Sequence, residues 1–226
     1  MKKQQSQKSK RLSVKVWGDF ACFTRPEMKV ERVSYDVMTP SAARGILEAI
    51  LWKPAIKWNI EKIEILKPIR WISVRRNELE SKIAYSNITS TMKAGKGNLG
   101  IYIEEERQQR AGLFLRDVAY VIHANFEMTD AVGPNDNMKK FEEMFERRVS
   151  NGQCHHMPCF GNREFSTYFA PIDGNEKPID IEQKDLGYML YDMDFDAEEI
   201  PALFFRAEIK NGAVQIPTKE SLEVRQ

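Results

Sequence analysis

The chain has 226 residues, of which 42% are hydrophobic and 30% are charged, and its formal net charge is +1. This composition is typical of a soluble globular protein, and no apolar run approaches the roughly 18 residues of a membrane-spanning helix. The polar, basic start "MKKQQSQKSKR" does not fit a secretory signal. Three cysteines, an odd number, favour reduced thiols and a cytoplasmic location.

The charges are unevenly distributed. Residues 1–44 contain ten Lys and Arg against four Asp and Glu, and residues 67–96 contain seven against two. Residues 180–200 contain one basic residue against eight acidic ones. This asymmetry favours a basic face that binds nucleic acid and a separate acidic region. Solvated surface explains the same charges, and the role of the acidic stretch stays open.

The first elements are a tail, a strand and a helix. Residues 1–10 are polar and low in complexity, which predicts a disordered basic tail. "RLSVKVWG" alternates apolar and polar residues, which predicts a half-buried strand with Lys15 and Trp17 on its polar face. "TPSAARGILEAILWKP" predicts a helix, because Thr39 suits the N-cap, Pro40 suits the first turn and an apolar stripe follows.

The later elements are mostly strands. "NIEKIEILKPIRWISVRRNEL" predicts two strands that break at Pro68, and residues 78–112 have weak periodicity, which indicates an insertion. "LFLRDVAYVIHANFEM" predicts a long strand, and "NDNMKKFEEMFERRVSNG" predicts an amphipathic helix that ends at Gly152. Four further segments have strand character: "REFSTYFAPI", "LGYMLYDMDF", "ALFFRAEI" and "AVQIP".

This order predicts an α+β fold with a split βαββαβ unit over residues 11–170 and a β-rich C-terminal extension over residues 171–226. In such a unit one sheet face packs on the helices and the other is free to bind. Trp17 beside Lys15 is suited to stacking a base and neutralising its phosphate. Coverage of Trp17 by the C-terminal strands is the alternative.

Two short motifs resemble ligand-binding sequences, but the residues around them do not fit such sites. "GKGNLG" at 95–100 fits G-x-G-x-x-G, but no strand precedes it and no helix follows it, so a mobile basic loop with Lys93 and Lys96 along a phosphate backbone is favoured. "CHHMPC" at 154–159 lacks the second ligand pair that a zinc site usually has, so a reduced loop is favoured. No metal and no cofactor are expected.

The loop "RPEMKVERVSYDVMTPSAARG" is a candidate phosphate site. Its cations surround an aromatic ring next to a helix N-terminus, where backbone donors favour phosphate. A charged surface, paired with the acidic residues of the same loop, is the alternative. The residues assigned to RNA binding here are Arg25, Lys29, Arg32, Tyr35 and Arg44.

His123, in "AYVIHANF", is the candidate for acid–base chemistry. On a strand, Tyr120, Ile122 and the alternate residues that follow form an apolar face, whereas His123 shares the other face with Asn125. His123 is therefore not on the core side of its strand. A histidine with only a structural role is the alternative.

A set of motifs over nearly the whole chain beyond residue 10 resembles one family. They are "VWGDFACFTRPEMKVERVSYDVMTPSAARGILEAI", "RRNE", "RQQRA", "LRDVAYVI", "CFGNREF" and "DLGYMLYDMDF". Together they resemble the Cas-five proteins of CRISPR systems, subtype d (also called c), of the repeat-associated RNA-binding superfamily.

The resemblance implies a ferredoxin-like (RRM-like) N-terminal domain with a β-sheet extension, in the cytoplasm of a prokaryote. It implies an endoribonuclease that cuts precursor CRISPR RNA within its repeats, without a metal ion, through attack of a 2′-hydroxyl. Partners implied are the repeat hairpin, the 5′ handle of mature CRISPR RNA and the other subunits of a type I-C surveillance complex, with no membrane.

The resemblance also implies a catalytic tyrosine at the end of the first helix and a Lys/His pair on the later strand. Leu51 stands at the tyrosine position, His123 falls within the strand pair without an accompanying lysine, and Asn125 stands where relatives often have histidine. His123 is therefore the predicted catalytic residue. The alternative is a non-catalytic cap on the handle, and affinity of the same basic face for duplex DNA is a third possibility.

Overall fold

The computed structural model describes residues 8–221 and 223–225. In chain order, the elements are β1 (Leu12–Ala21), α1 (Pro40–Ile50), β2 (Ile56–Ile65), β3 (Trp71–Leu79), α2 (Tyr85–Ala94), β4 (Arg107–Met128), α3 (Met138–Ser150), β5 (Tyr168–Ala170), β6 (Gln183–Met193), β7 (Ala202–Lys210), β8 (Ala213–Gln215) and β9 (Val224–Arg225). None of the helices in these residues is long and apolar enough to cross a membrane.

Within the described residues, the strands join one antiparallel sheet. Its main path runs β5-β1-β4-β2-β8-β7-β6, while β3 pairs with the first half of β4 and β9 pairs with β7. Alternation along β1 buries Leu12, Val14 and Val16 in the core that α1 and α3 cover. The α+β class predicted from the sequence is confirmed, and the antiparallel sheet dominates it.

α1 begins and ends as the sequence predicts. The Thr39 hydroxyl accepts a hydrogen bond from the Ala42 N–H at 3.3 Å, and Pro40 occupies the first turn, where no donor is needed. Leu51 has an extended backbone and ends the helix. The stripe that faces the sheet is fully buried and consists of Ala43, Ile46, Leu47 and Ile50.

α3 packs against the sheet through aromatic side chains. Asn137 caps it by accepting a hydrogen bond from the Lys140 N–H at 2.9 Å. The Phe145 ring lies 5.0 Å from the ring of Trp58 in β2, which fixes α3 against the sheet. Both helices therefore cover one sheet face and leave polar side chains on the other.

β3 and the first half of β4 form a long hairpin, here called the arm (residues 71–115). Pairing runs from Trp71–Leu115 to Leu79–Arg107. The sequence predicted that this strand begins at Leu113. β4 begins instead at Arg107, because β3 supplies hydrogen bonds to a stretch with little apolar pattern. α2, which the sequence analysis left within an unassigned insertion, lies at the far end of the arm and contains no buried residue.

The C-terminal strands continue the same sheet. β8 pairs with β2 and with β7, and the hydrophobic core runs on through Phe205, Ala207 and Ile209. Arg44 of α1 donates hydrogen bonds to both carboxylate oxygens of Asp192 in β6, at 2.6 and 2.9 Å. The segments on either side of residue 171 therefore share one sheet and one core.

The predicted disordered tail, residues 1–10, is only partly within the described residues. Ser9 is 8% exposed, its N–H donates to the Phe126 carbonyl at 2.9 Å, and Lys8 forms an isolated bridge to Glu127. Residues 8–10 thus lie against the sheet, and residues 1–7 lie outside the described residues.

Candidate active site

The polar face of the sheet brings Ser13, His123 and Lys62 into one row. Ser13 of β1 pairs with His123 of β4, which pairs on its other side with Lys62 of β2. A register shift in β2 between Ile60 and Lys62 places Lys62 there. Residues far apart in the chain are thereby held in contact by adjacent antiparallel strands.

Each ring nitrogen of His123 has a polar neighbour. Nδ1 lies 2.7 Å from Ser13 Oγ, a hydrogen-bond distance. Nε2 lies 3.4 Å from Glu64 Oε1, an ion-pair distance without hydrogen-bond geometry. Lys62 Nζ donates to the same Glu64 oxygen at 2.6 Å. The His123 side chain is 12% exposed, so its chemistry depends on these three neighbours.

The electrostatics of the row keep His123 neutral and Glu64 charged. Burial disfavours the imidazolium and holds the pKa of His123 below its ordinary value of 6.5, against the opposing charge of Glu64. Burial also opposes ionisation of Glu64, but the hydrogen bond from Lys62 and the proximity of His123 together outweigh it and lower the pKa of that carboxyl. A neutral imidazole next to a carboxylate is suited to accept a proton.

Asn125 and its neighbours form a second polar network beside His123. Asn125 is 5% exposed, donates to Glu61 and accepts from Asn59 Nδ2 at 3.3 Å. Arg11 Nε donates to the same Glu61 carboxylate. Asn125 is thus bound into a polar network beside His123 and adds no titratable group to the row.

A cavity of about 270 Å³ lies beside Ser13, at the edge of β1 beyond the end of β5. Its lining includes Arg11, Ser13, Ser150 and Ile172. Pockets that enclose a whole small ligand usually measure about 300–1,000 Å³. This cavity is slightly smaller than that range, and its lining mixes polar residues with apolar ones from β1 and α3.

Lys15, predicted to hold RNA on the open face, is neutralised within the fold. Its Nζ lies 3.3 Å from Oε1 of Glu176, whose side chain is 6% exposed. Burial opposes ionisation of Glu176, but backbone N–H donors and Lys15 lower its pKa to about 2. Glu176 belongs to the segment 171–182, which connects β5 to β6. This segment is also hydrogen-bonded to β2, because the Ile179 N–H donates to the Ile65 carbonyl at 2.8 Å.

Trp17 lies beside β5 and stacks on Tyr168. The two ring centroids are 5.9 Å apart and the planes differ by 25°. Tyr168 is 56% exposed, so it presents an aromatic surface at this sheet edge. The sequence analysis did not single out Tyr168, because its pairing with Trp17 depends on the β1–β5 register.

Tyr35, assigned to RNA binding from the sequence, is inside the fold. It is 2% exposed, its hydroxyl accepts a hydrogen bond from the Leu190 N–H at 3.2 Å, and burial raises its pKa. The Arg25 guanidinium lies 4.5 Å from the ring centroid. Burial therefore removes Tyr35 from the surface that an RNA could contact, and Arg25 covers the ring.

Arg32 and Arg44 are paired with carboxylates. Arg32 lies 3.5 Å from Glu164 and 3.5 Å from Glu78. Because Glu78 belongs to β3, the second ion pair joins the loop to the arm. Arg44, besides binding Asp192, donates to Glu48 at 2.7 Å, and these carboxylates raise its pKa although burial opposes the charge. Arg44 therefore acts as a link between α1 and β6.

Lys29, Lys93 and Lys96 are exposed, and none forms an ion pair with another described residue. Lys93 and Lys96 flank Gly95, which ends α2 with a left-handed backbone, φ 61°. The G-x-G-x-x-G motif thus follows a helix, which is the opposite of the context that a nucleotide site needs.

Leu51 is fully buried at the end of α1, and its carbonyl accepts a hydrogen bond from Trp58 Nε1 at 3.1 Å.

In the loop "CHHMPC", the His155 N–H donates a hydrogen bond to the Ala49 carbonyl at 2.8 Å, and the rings of His155 and His156 are 5.8 Å apart and inclined by 77°. Among the described residues no three His, Cys, Asp or Glu side chains are grouped to hold a metal ion.

Ser13, Lys62 and Glu64 are the residues around His123 that the sequence analysis did not identify. One signal for Glu64 was present: the buried residues of β2 change from even positions, Ile56 and Trp58, to odd positions, Ile63 and Ile65. That change marks the β-bulge that turns Lys62 and Glu64 towards His123. For Ser13 only the alternation of β1 was available, and alternation does not specify the partner strand.

Solved structures share this fold. A crystal structure described as a CRISPR-associated protein aligns with TM-score 0.69 and 21% identity, covering 99% of this chain and 100% of that chain. A functionally uncharacterized protein from Streptococcus mutans aligns with TM-score 0.67 and 20% identity, covering 98% and 100%. At such identities the likeness defines the fold alone.

Sequence relatives define the family. The family model Cas_Cas5d, described as CRISPR-associated protein (Cas_Cas5), matches residues 11–217 of this sequence. A Mannheimia succiniciproducens protein named CRISPR pre-crRNA endoribonuclease Cas5d is 54% identical over 95% of this chain and 98% of its own length. A Thermus thermophilus protein of the same name is 40% identical over 95% and 94%. The chain belongs to the Cas5d family, as its motifs predicted.

Proposed function

We propose that this chain is an endoribonuclease that cuts precursor CRISPR RNA within its repeats, without a metal ion. The observation that carries the proposal is the 54% identity to the Mannheimia succiniciproducens CRISPR pre-crRNA endoribonuclease Cas5d. That match covers 98% of the relative, so it extends over the whole of that enzyme rather than over a shared domain.

The reaction is a transfer within the RNA. A 2′-hydroxyl attacks the adjacent 3′ phosphate, the 5′ oxygen leaves, and the products carry a 2′,3′-cyclic phosphate and a 5′-hydroxyl. This chemistry needs a proton acceptor, a proton donor and a cation near the phosphate. His123 is the acid–base group of the proposal, and such a group contributes about 10²–10⁴-fold in rate.

RNA binding is assigned to exposed cations and to one aromatic edge. Lys29, Lys93 and Lys96 carry the contacts to phosphates, and Trp17 with Tyr168 stacks a base. Lys15, Arg25 and Arg32 join them where a phosphate replaces a carboxylate partner. Arg44 positions β6 and is not assigned to RNA.

We further propose that β1, α1, β2, the second half of β4, α3 and β5 form a ferredoxin-like unit. Their spatial order is β5-β1-β4-β2, each neighbouring pair is antiparallel, and both helices lie on one face. This arrangement supports a split βαββαβ topology into which the arm is inserted. The β6–β9 strands are the extension.

After cutting, the protein stays on the 5′ handle as a subunit of a type I-C surveillance complex. Its membership of the Cas5d family supports this role. A second candidate function is a handle-binding cap that does not cut. The observation that favours the cap is Leu51, an apolar and fully buried residue where the family's catalytic set has a tyrosine.

The test is incubation of the protein with its repeat RNA in excess EDTA, comparing wild type, His123→Ala and His155→Ala. His155 is an exposed histidine outside the row and serves as the matched control. We expect wild type and His155→Ala to cut at one site and His123→Ala to lose at least about 10²-fold in rate. Tight repeat binding without cutting by any protein identifies the cap, and equal binding of duplex DNA identifies a general polyanion binder.

A further inference from the structure

Ser13 is bonded to His123 and also lines the cavity between the edge of β1 and α3. Its hydroxyl is 2.7 Å from His123 Nδ1, and the residue lines the cavity that Arg11 and Ser150 also border. His123 itself is 12% exposed. Ser13 therefore borders the cavity, whereas His123 is not among its lining residues.

The charges around the ring determine which nitrogen carries the proton. Glu64 is anionic and lies 3.4 Å from Nε2, so it favours the tautomer with the proton on Nε2. Nδ1 then keeps its lone pair and accepts the hydrogen bond from the Ser13 hydroxyl at 2.7 Å. This is the orientation in which Ser13 can pass its proton to the ring.

We propose that Ser13 transfers the proton between the RNA 2′-hydroxyl and His123, and that Glu64 is a positioning residue that holds the ring for this transfer. The inference rests on the proposed ribonuclease function and adds to it the group that touches the RNA. Ser13 thereby takes a place in the reaction that the family's tyrosine position, Leu51, does not fill.

The protons balance as follows. The 2′-hydroxyl gives its proton to Ser13 Oγ as Ser13 gives its own to His123 Nδ1, and the resulting imidazolium is stabilised by Glu64. The 2′ oxygen forms its bond to phosphorus while the bond to the 5′ oxygen breaks. The imidazolium then returns the proton through Ser13 and water to the 5′ oxygen, so the enzyme ends unchanged.

Arg11 supplies the cation beside this transfer. Its side chain is 60% exposed and borders the same cavity. Its Nε donates to Glu61, and a guanidinium has five N–H donors in all, so further donors remain for a phosphate oxygen. A sugar–phosphate unit in the cavity would thus have its hydroxyl near Ser13 and its phosphate near Arg11.

The test compares single-turnover cleavage and repeat-RNA binding for Ser13→Ala, Ser13→Thr and the matched control Ser73→Ala. Ser73 is an exposed serine of β3 that does not line the cavity, whereas the bond to His123 belongs to Ser13. We expect Ser13→Ala to lose at least about 10²-fold in rate with unchanged affinity, while Ser13→Thr keeps most of the rate because it keeps the hydroxyl. Ser73→Ala should cut like wild type.

A pH–rate profile of Glu64→Gln tests the positioning role. The charged groups that face His123 are Glu64 and Lys62 from β2 and Arg11 before β1, and Ser13 faces it from β1. Because the Glu64 charge raises the pKa of His123, its removal should move the acid limb of the profile to lower pH. An unmoved limb overturns the role of Glu64.

The outcomes separate the two proposals. Cutting by Ser13→Ala at the wild-type rate overturns the relay and leaves the ribonuclease function standing. Binding without cutting by the wild-type protein overturns the ribonuclease function and the relay with it. Unchanged affinity and unchanged thermal unfolding in Ser13→Ala, together with the rate loss and the threonine rescue, support the relay.

Discussion

His123 lies on the polar face of β4, as the alternation in "AYVIHANF" predicts, yet its properties come from other strands. Ser13 and Glu64 reach it from β1 and β2. A slip of one residue in either pairing would turn these side chains to the opposite face. The residue and its face were therefore predictable from the sequence, whereas its partners required the register and the bulge near Lys62.

The lowered pKa of His123 makes a prediction about stability. In the unfolded chain His123 binds a proton near its ordinary value of 6.5, whereas the folded state resists protonation because of burial. The unfolded state therefore binds more protons as the pH falls below that value, and the contribution of neutral His123 to folding, present above it, is lost with acidification.

Urea unfolding at pH 5, 6 and 7 checks this for wild type and His123→Asn. We expect the free energy of unfolding of wild type to fall more steeply from pH 7 to pH 5 than that of the variant, because Asn does not titrate. Parallel pH dependences for the two proteins would show that burial does not disfavour the imidazolium.

At the scale of elements, the helices α1 and α3 and the strand β3 were predictable, whereas α2 and the start of β4 were not. Thr39 and Asn137 cap helices whose apolar stripes face the core, so local signals and packing agree. α2 buries nothing, and the start of β4 at Arg107 depends on pairing with Leu79. Long-range pairing of polar strands leaves no periodic apolar pattern to read.

The arm carries Lys93 and Lys96, which leads to a prediction about salt. If each lysine contacts one phosphate of single-stranded RNA, the double variant Lys93→Gln, Lys96→Gln should reduce the slope of log affinity against log salt by about 1.4. Titrations of repeat RNA at several salt concentrations measure this slope. Lys139→Gln, on α3 with its side chain 83% exposed, is the control and should leave the slope unchanged. An unaltered slope in the double variant would remove the arm from the RNA interface.

At the scale of the whole molecule, the charge asymmetry of the sequence is partly neutralised by folding. Asp192 of the acidic stretch binds Arg44, and Asp194 and Asp196 bind Lys219 at 2.7 and 2.8 Å. Composition therefore overstates the acidic field of residues 180–200. The exposed Lys and Arg side chains that have no carboxylate partner, rather than the net charge of each sequence region, define where a polyanion can bind.

The central claim is that this molecule cuts repeat RNA through the RNA's own 2′-hydroxyl, and one substrate tests it most directly. After the cut is mapped on all-ribose repeat RNA in EDTA, the same RNA is made with a single 2′-deoxy sugar on the 5′ side of that phosphate. We predict unchanged binding and no cutting at that position. Cutting there at the all-ribose rate would contradict the account, because the nucleophile would then have to be water rather than the 2′-hydroxyl.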